Sequence, residues 1–402
     1  MGMTMDCDIL ISGGGIAGLT AAAALGSAGF KVICVDPAPP ITDGDAEGAD
    51  MRSTAMLQPA RRVLEAAGIW DHLQDHAAPL QIMRIVDAGG PDPEPRVTRE
   101  FNASEISDQP FGWNFPNWLL RRALMARLAD LATVDFRPGT STTSLFTRTA
   151  QARVGLSDGT RITTPLVIAA DGRNSPMRKA AGIGVTKSGY GQKAVVFAVT
   201  HPVPHDNVST EIHRTGGPFT LVPLPDRDGL PCSAVVWMDD AAECTRRMTL
   251  DAQHFSNEAS LRSCHLFGPL TLATPRNIWP IITQHAARLS GERIALIAEA
   301  AHVMPPIGAQ GLNMSLQDVA TLLELAQKNP EDLGSQKMLD AYHKERFSDI
   351  MLRVRGIDLL NRASQASAPI ARDARATGLN ALYAMAPVRK MLMEMGLGMR
   401  QG

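Results

Sequence analysis

Short, purely apolar runs are spaced along the chain, and each is closed by a polar or glycine-rich turn. Ile9-Leu10-Ile11, Val32-Ile33-Cys34-Val35, Leu166-Val167-Ile168-Ala169 and Ile294-Ala295-Leu296-Ile297 are of this kind. An apolar run without alternation reads as a strand buried on both faces, as in a sheet covered by helices. Helical patterns run from Ile16 to about Ala28, from Gln58 to about Gly68 and from Asn117 to Leu131. Thr133 to Phe136 and Ala152 to Leu156 read as further strands, with a hairpin turn at Ser157-Asp158-Gly159-Thr160. From about Gly184 to Pro275 the texture changes to alternation. Ala194 to Thr200, Ser209 to His213, Phe219 to Leu224 and Ser233 to Met238 predict an antiparallel sheet inserted into an α/β domain. Asp87 to Pro95 reads as a polar loop, and the chain beyond Gln327 as mainly helical.

The first apolar run opens into Gly13-Gly14-Gly15-Ile16-Ala17-Gly18. Gly13 permits a tight turn, Gly15 lets the backbone approach a pyrophosphate, and Gly18 lets the following helix pack on the strand. The helix presents free N–H groups and its positive dipole end to phosphate. The next strand ends in Asp36, 18 positions after Gly18, where a ribose-binding carboxylate belongs. An acid there disfavours a 2′-phosphate, so the site fits the adenosine of FAD or NAD rather than NADP.

Composition permits a large enzyme and excludes some partners. At 402 residues the chain is expected to form two or three domains, with 45% hydrophobic and 20% charged residues. A net charge of −2 argues against nucleic acid. No apolar run approaches the ~18 residues of a membrane span. MGMTMDCD carries no basic region, so no signal or transit peptide is expected, and a cytoplasmic location follows. The five cysteines form no CxxC pair and read as reduced thiols; no metal site is expected.

Two further motifs carry chemistry. Leu166 to Ala170 closes on Asp171-Gly172, followed by Arg173 and Arg178, a pattern that holds ribose and phosphate or is a plain turn. Ala298 to Asp318 runs from a short strand through a Pro/Gly loop, Pro305 to Asn313, into an amphipathic helix. Together the three motifs resemble the class A flavoprotein aromatic hydroxylases of the para-hydroxybenzoate hydroxylase type, over nearly the whole chain. Closer still, PPIGAQGLN at 305–313 is similar to the ubiquinone-biosynthesis monooxygenases. Two positions depart from the pattern. Ala298-Glu299 replaces the usual Gly-Asp, and Ser315 stands where Gly is frequent.

The resemblance implies a Rossmann-like FAD-binding domain with an inserted antiparallel substrate domain and a C-terminal helical region. Residues 1–75, 108–183 and 276–330 would form the first, 76–107 and 184–275 the second, and 331–402 the third. It implies FAD as cofactor, with NADH or NADPH as a transient co-substrate, since no second GxGxxG exists. The expected cofactor contacts are Gly13, Gly15, Gly18, Asp36, Arg52, Arg121, Asp171, Gly172, Glu299, Gly311, Leu312 and Asn313. Arg52 is expected near the ring and Arg121 near the phosphates. Pro306, Gly308, Gly311 and Asn313 would form the flavin-ring environment, with no side-chain acid or base assigned. Gly308 and Gly311 would let backbone lie flat against the isoalloxazine, and Pro306 would wall it without a competing N–H. The helix start at 311–313 would stabilise the charge of reduced flavin. Oxygen would add at the flavin C4a position and pass to an electron-rich ring.

The expected activity is therefore hydroxylation of a polyprenylated phenol in ubiquinone biosynthesis, with O2 and NAD(P)H. Two alternatives stand beside it: a catalytically weak FAD-binding scaffold subunit, and a class A hydroxylase of a small soluble phenol. His302 reads as a base or as a packed structural element, and Gln310 as a substrate contact or an ordinary loop residue. Trp237, Phe219, Phe197 and Met238 would line an apolar pocket or pack the core. Leu379, Leu382, Tyr383 and Ala386, then Val388, Met391, Leu392 and Met395, form two apolar stripes. Arg372, Arg375, Arg389, Lys390 and Arg400 surround them. Such helices either lie on anionic lipid at the inner face of a membrane or pack onto the parent domain or a partner.

Overall fold

The computed structural model describes residues 6–50, 52–90, 92–365 and 369–398. Arg400 lies outside these residues, and the side chain of Arg375 is not among those described. The apolar runs of the sequence assemble into one sheet, ordered 290–291, 294–296, 166–169, 9–12, 32–36 and 134–138. Ile9–Ser12 is its centre and pairs in parallel with both Leu166–Ala169 and Val32–Asp36. All four of its residues are buried, which is why the run needs no polar alternation. Helix α1 (Ile16–Ser27) is buried on nearly every side, and its alanines let the sheet and neighbouring helices approach it closely. Helices α2 (Gln58–Ala66) and α3 (Asn117–Ala129) follow in the chain, and α4 (Pro176–Ala180) opens behind Asp171.

The second sheet is ordered 302–303, 277–286, 185–200, 230–240, 218–227, 208–213, 82–87 and 97–102. It differs from the expected inserted sheet in two ways. The sheet continues past residue 275 through Asn277–Ala286, which pairs with Val185–Thr200. It also contains a parallel seam, Val208–His213 against Ile82–Asp87. The seam arises because the chain leaves the first sheet twice, and the two excursions meet edge to edge.

Helices α5 (Ala241–Met248) and α6 (Ala252–Arg262) cover one face of this sheet. Phe197, Phe219 and Trp237 pack there against Phe255 of α6, with edge-on ring contacts of 4.8 Å for Phe197–Phe255 and 5.3 Å for Phe219–Trp237. They are core. Met238, one residue on from Trp237, points to the opposite face, as strand alternation requires. There it joins Ala194, Val196 and Ile281 in a separate apolar cluster.

The chain then forms α7 (Ala298–Ala301), α8 (Gln310–Lys328), the long α9 (Gln336–Ser364), α10 (Pro369–Ala384) and α11 (Ala386–Leu397). α10 and α11 dock on the parent molecule. Tyr383 meets Phe101 edge-on at 5.5 Å, and Arg389 pairs with Glu105 at 2.6 Å. Arg96 reaches Asp373 at 2.7 Å. Arg389 is thus taken up by the parent molecule, one of the two placements the sequence left open for these helices. The inward residues of α11 are Met393 and Leu397, whereas Met391, Leu392 and Met395 stay exposed. Among the described residues, no helix is long and apolar enough to cross a membrane.

Candidate active site

The glycine loop forms where the central strand ends. Gly13 takes φ +108°, and a β-carbon there would collide with the Ala170 carbonyl of the neighbouring strand. A β-carbon at Gly18 would strike the Gly13 carbonyl, so α1 can start this close only with glycine. Gly15 is different: a β-carbon would meet nothing within 4 Å. Gly15 is also the N-cap of α1 and leaves the first N–H groups without a side-chain cap. Open space in front of unsatisfied donors is what a pyrophosphate requires. Asp36 stands beside the loop and accepts the Gly14 N–H at 2.6 Å and the Ala38 N–H at 2.9 Å. Its oxygens keep further acceptor capacity for ribose hydroxyls.

Asp171 closes the adjacent strand. One carboxylate oxygen accepts the Met177 N–H at 3.0 Å, and the other is buried without a partner. Burial pushes its pKa above the usual carboxylate range, against the pull of Ser175 and Met177. A buried, unpartnered oxygen at this place fits a hydroxyl donor on a ligand. Gly172, at φ +81°, leaves the adjoining space open. The motif is tied to α7: Arg178 donates to the Ala300 carbonyl at 2.8 Å, and Arg173 holds Glu299 through two bonds of 3.0 and 3.1 Å. Ala298, before Glu299, sits at φ +54°, a left-handed conformation that explains why related motifs carry glycine there.

The Pro/Gly loop leads into α8. Pro306, Gly308 and Gly311 are exposed along one side, while Ile307 between them is buried. A β-carbon at Gly311 would meet nothing within 4 Å. Ala309 caps α8 from a left-handed conformation, φ +56°, and supplies no side-chain acceptor. The first N–H groups of α8, including those of Gly311 and Leu312, are therefore available to a ligand. Asn313 has another task. Its amide donates to the Ala55 and Ala309 carbonyls, both at 2.7 Å, and accepts the Leu57 N–H at 2.8 Å. Through its side chain it fastens α8 to the strand 53–57.

Arg52, expected near the ring, and Arg121, expected near the phosphates, converge on one carboxylate, Asp50. Arg52 binds it at 2.7 Å and Arg121 at 3.4 Å, and Asn117 donates at 3.0 Å. Burial opposes the charge of Asp50, but Arg52, Asn117 and Arg121 together hold its pKa below the usual range. Asp50 was invisible in the sequence, lying in a stretch of scattered acids without periodicity. His302 is a structural residue. It bonds Asp318 at 2.7 Å, and Arg346 takes the other oxygen of Asp318 at 2.9 Å. The signal for this cluster was an acid, Asp318, on the apolar face of a helix.

The apolar cluster of Ala194, Val196, Met238 and Ile281 packs against Ile307 of the loop and Ile357 of α9. Tyr190 borders it and bonds Asp358 and Thr283, each at 2.6 Å. The arrangement offers two uncapped helix starts, two carboxylates and one apolar wall. Open space and uncapped helix starts thus stand both at Gly15 and at Gly311.

Comparison with known proteins agrees. The model of the FAD binding domain family matches residues 6–354. Ubiquinone hydroxylase UbiL of Rhodospirillum rubrum is 33% identical over 395 residues, covering 97% of this chain and 89% of that protein. The 3-demethoxyubiquinol 3-hydroxylase of Escherichia coli is 26% identical, covering 98% of each. Among solved structures, p-nitrophenol 4-monooxygenase of Pseudomonas putida has the same fold, with a TM-score of 0.80 at 19% identity and full coverage of both chains. The chain belongs to the FAD binding domain family and is a flavoprotein monooxygenase with FAD as its cofactor.

Proposed function

We propose that the protein hydroxylates the aromatic ring of a polyprenylated phenol in ubiquinone biosynthesis, with NAD(P)H and O2 as co-substrates. The observation that carries this reading is similarity over nearly the whole chain to proteins named as ubiquinone hydroxylases. Gly13, Gly15, Gly18 and Asp36 hold the adenosine diphosphate half of FAD, and Asp171, Gly172 and Glu299 the ribityl and phosphate region. Pro306, Gly308, Gly311 and Leu312 face the ring, and the uncapped start of α8 stabilises negative charge on it. Bound FAD supplies the oxygen activation and electron transfer. Asn313 and the Asp50 cluster act as supports, holding α8, the strand 53–57 and α3 in register. Asp318, shared by His302 and Arg346, anchors α8 to α9 behind the ring-facing loop. Met238, Ile281 and Ile357 exclude water and receive the apolar part of the substrate.

A prenyl tail also needs an apolar exit. Leu352, Leu359 and Leu360 on α9 and Met391, Leu392 and Met395 on α11 are exposed. We infer that this surface rests against lipid, with Lys390 and Arg355 toward anionic headgroups. The direct test supplies purified, FAD-loaded protein with a prenylated phenol, NADH or NADPH and oxygen. Product heavier by one oxygen is the expected result. NAD(P)H oxidation that yields only hydrogen peroxide, on prenylated and short phenols alike, would overturn the substrate assignment.

A further inference from the structure

We propose that α11 positions the flavin-facing loop through a clasp made by Gln310 and Arg353; the proposal rests on 306–312 being the ring end of the FAD site. Gln310 is 8% exposed although it lies at a loop–helix junction. Its amide is fully engaged. Nε2 donates to the carbonyls of Gly308 at 2.9 Å and Gly396 at 2.8 Å, and Oε1 accepts from Arg353 Nη1 at 2.8 Å. Arg353 is itself held by Asp349 at 2.9 Å and reaches the Met395 carbonyl at 3.5 Å. One buried amide therefore joins the loop, α9 and the last turn of α11.

The loop needs such a restraint. Gly308 and Ala309 are consecutive left-handed residues, at φ +63° and +56°. A non-glycine residue in that region persists only where its surroundings over-determine it. Asn313 restrains Ala309 from the helix side, at 2.7 Å to its carbonyl. Gln310 restrains Gly308, and α11 fixes Gln310. The end of α11 is seated firmly enough to do this. Leu397 is 5% exposed and lies with Leu57, Ala60 and Met314, and Gly398 at φ +76° turns the chain beside Arg353. Without Gly396 the Gln310 amide can rotate, and the N–H groups of Gly311 and Leu312 lose their aim. Their interaction with a ring is directional, so small displacements matter.

Three variants test this: truncation after Ala384, Gln310→Leu in the full chain, and Arg353→Lys, which keeps a donor for Oε1. In FAD-free protein, hydrogen exchange at 314–316, the first amides bonded within α8, is expected to accelerate by roughly tenfold in the first two, the change that a net loss of about 1.4 kcal/mol produces. Exchange in the central strand 9–12 should stay as it is. FAD affinity should fall by a similar factor, and the visible bands of bound FAD should shift. Arg353→Lys should stay close to the parent protein in all three. Unchanged exchange and spectra in Gln310→Leu overturn the clasp even where the truncated chain fails to fold. Uniformly faster exchange throughout the molecule also overturns it, because the contact then only adds stability. Failure of the underlying site is separate: it would appear as normal FAD affinity in Gly311→Val.

Discussion

At the residue scale, backbone conformation separates the glycines that shape the protein from those that face a ligand. Gly13 and Gly18 are filled by their own neighbours, so substitution there damages the fold. Gly311 has empty space in front of it, so Gly311→Val should leave a folded protein that no longer binds or reduces FAD. Circular dichroism with fluorescence titration checks both halves, and hydroxylation at the normal rate would show the loop to be misplaced. Asp36→Ala should weaken FAD binding by about 1–3 kcal/mol, the cost of unmade bonds at a ribose. Unchanged affinity in a titration would remove Asp36 from the site. Ala298 gives the opposite kind of prediction. It holds φ +54°, where an L-residue costs roughly 1–2 kcal/mol relative to the right-handed region. Ala298→Gly should therefore raise stability by up to about 1 kcal/mol, after glycine's own entropy cost. A denaturant midpoint that falls would refute strain at this position.

At the scale of elements, α8 carries the ring-facing loop at one end and is anchored by Asp318 in its middle. The carboxylate is fully buried and shared by His302 and Arg346. Burial opposes its charge, but the charges and hydrogen bonds of His302 and Arg346 outweigh that and lower its pKa. A lowered folded-state pKa stabilises the fold above the unfolded value, about pH 4, and that contribution is lost as pH falls through the folded pKa. Asp318→Asn should cost on the order of 3 kcal/mol, because it breaks a buried ion pair and leaves Arg346 with Asp349 as its remaining carboxylate. The variant's stability should also depend less on pH below about 4 than the parent's. Equal acid sensitivity in a pH series of unfolding midpoints would show that Asp318 is not the titrating group. Strand alternation decides another matter at this scale. Trp237 and Met238 are adjacent, yet one packs under α6 and the other lies on the opposite face with Ile307 of the loop.

At the scale of the molecule, the exposed apolar residues of α9 and α11 lie outside the packed core. Leu359 is 70% exposed and Leu352 63%. If this surface meets lipid, the protein should float with anionic phosphatidylglycerol vesicles at low salt and release at high salt. Replacing Leu359, Leu392 and Met395 together by serine should reduce flotation severalfold and leave FAD affinity unchanged. Flotation that is equal with neutral and anionic vesicles, or unaffected by the serines, would exclude this face. Of the stripes seen in the sequence at 379–395, Leu382, Met391, Leu392 and Met395 remain exposed, whereas Tyr383 packs on Phe101 and Arg389 pairs with Glu105.

Sequence alone determined the parts governed by local rules. Unbroken apolar runs specify buried strands, because a residue covered on both faces has no use for alternation. The glycines at 13, 15 and 18 with Asp36, and the loop 305–313, are contiguous patterns that can be recognised within a few residues. The tertiary structure decided whatever depends on which distant segments meet. Asp50 gathers Arg52, Arg121 and Asn117, and Asn313 turns inward to the strand 53–57. Gln310 is held by residues 43 and 86 positions away in the chain. The parallel seam in the second sheet joins strands that no local pattern relates. Side-chain partners across such separations are chosen by packing and by the need to satisfy buried polar groups, and both are properties of the folded molecule rather than of any stretch of its sequence.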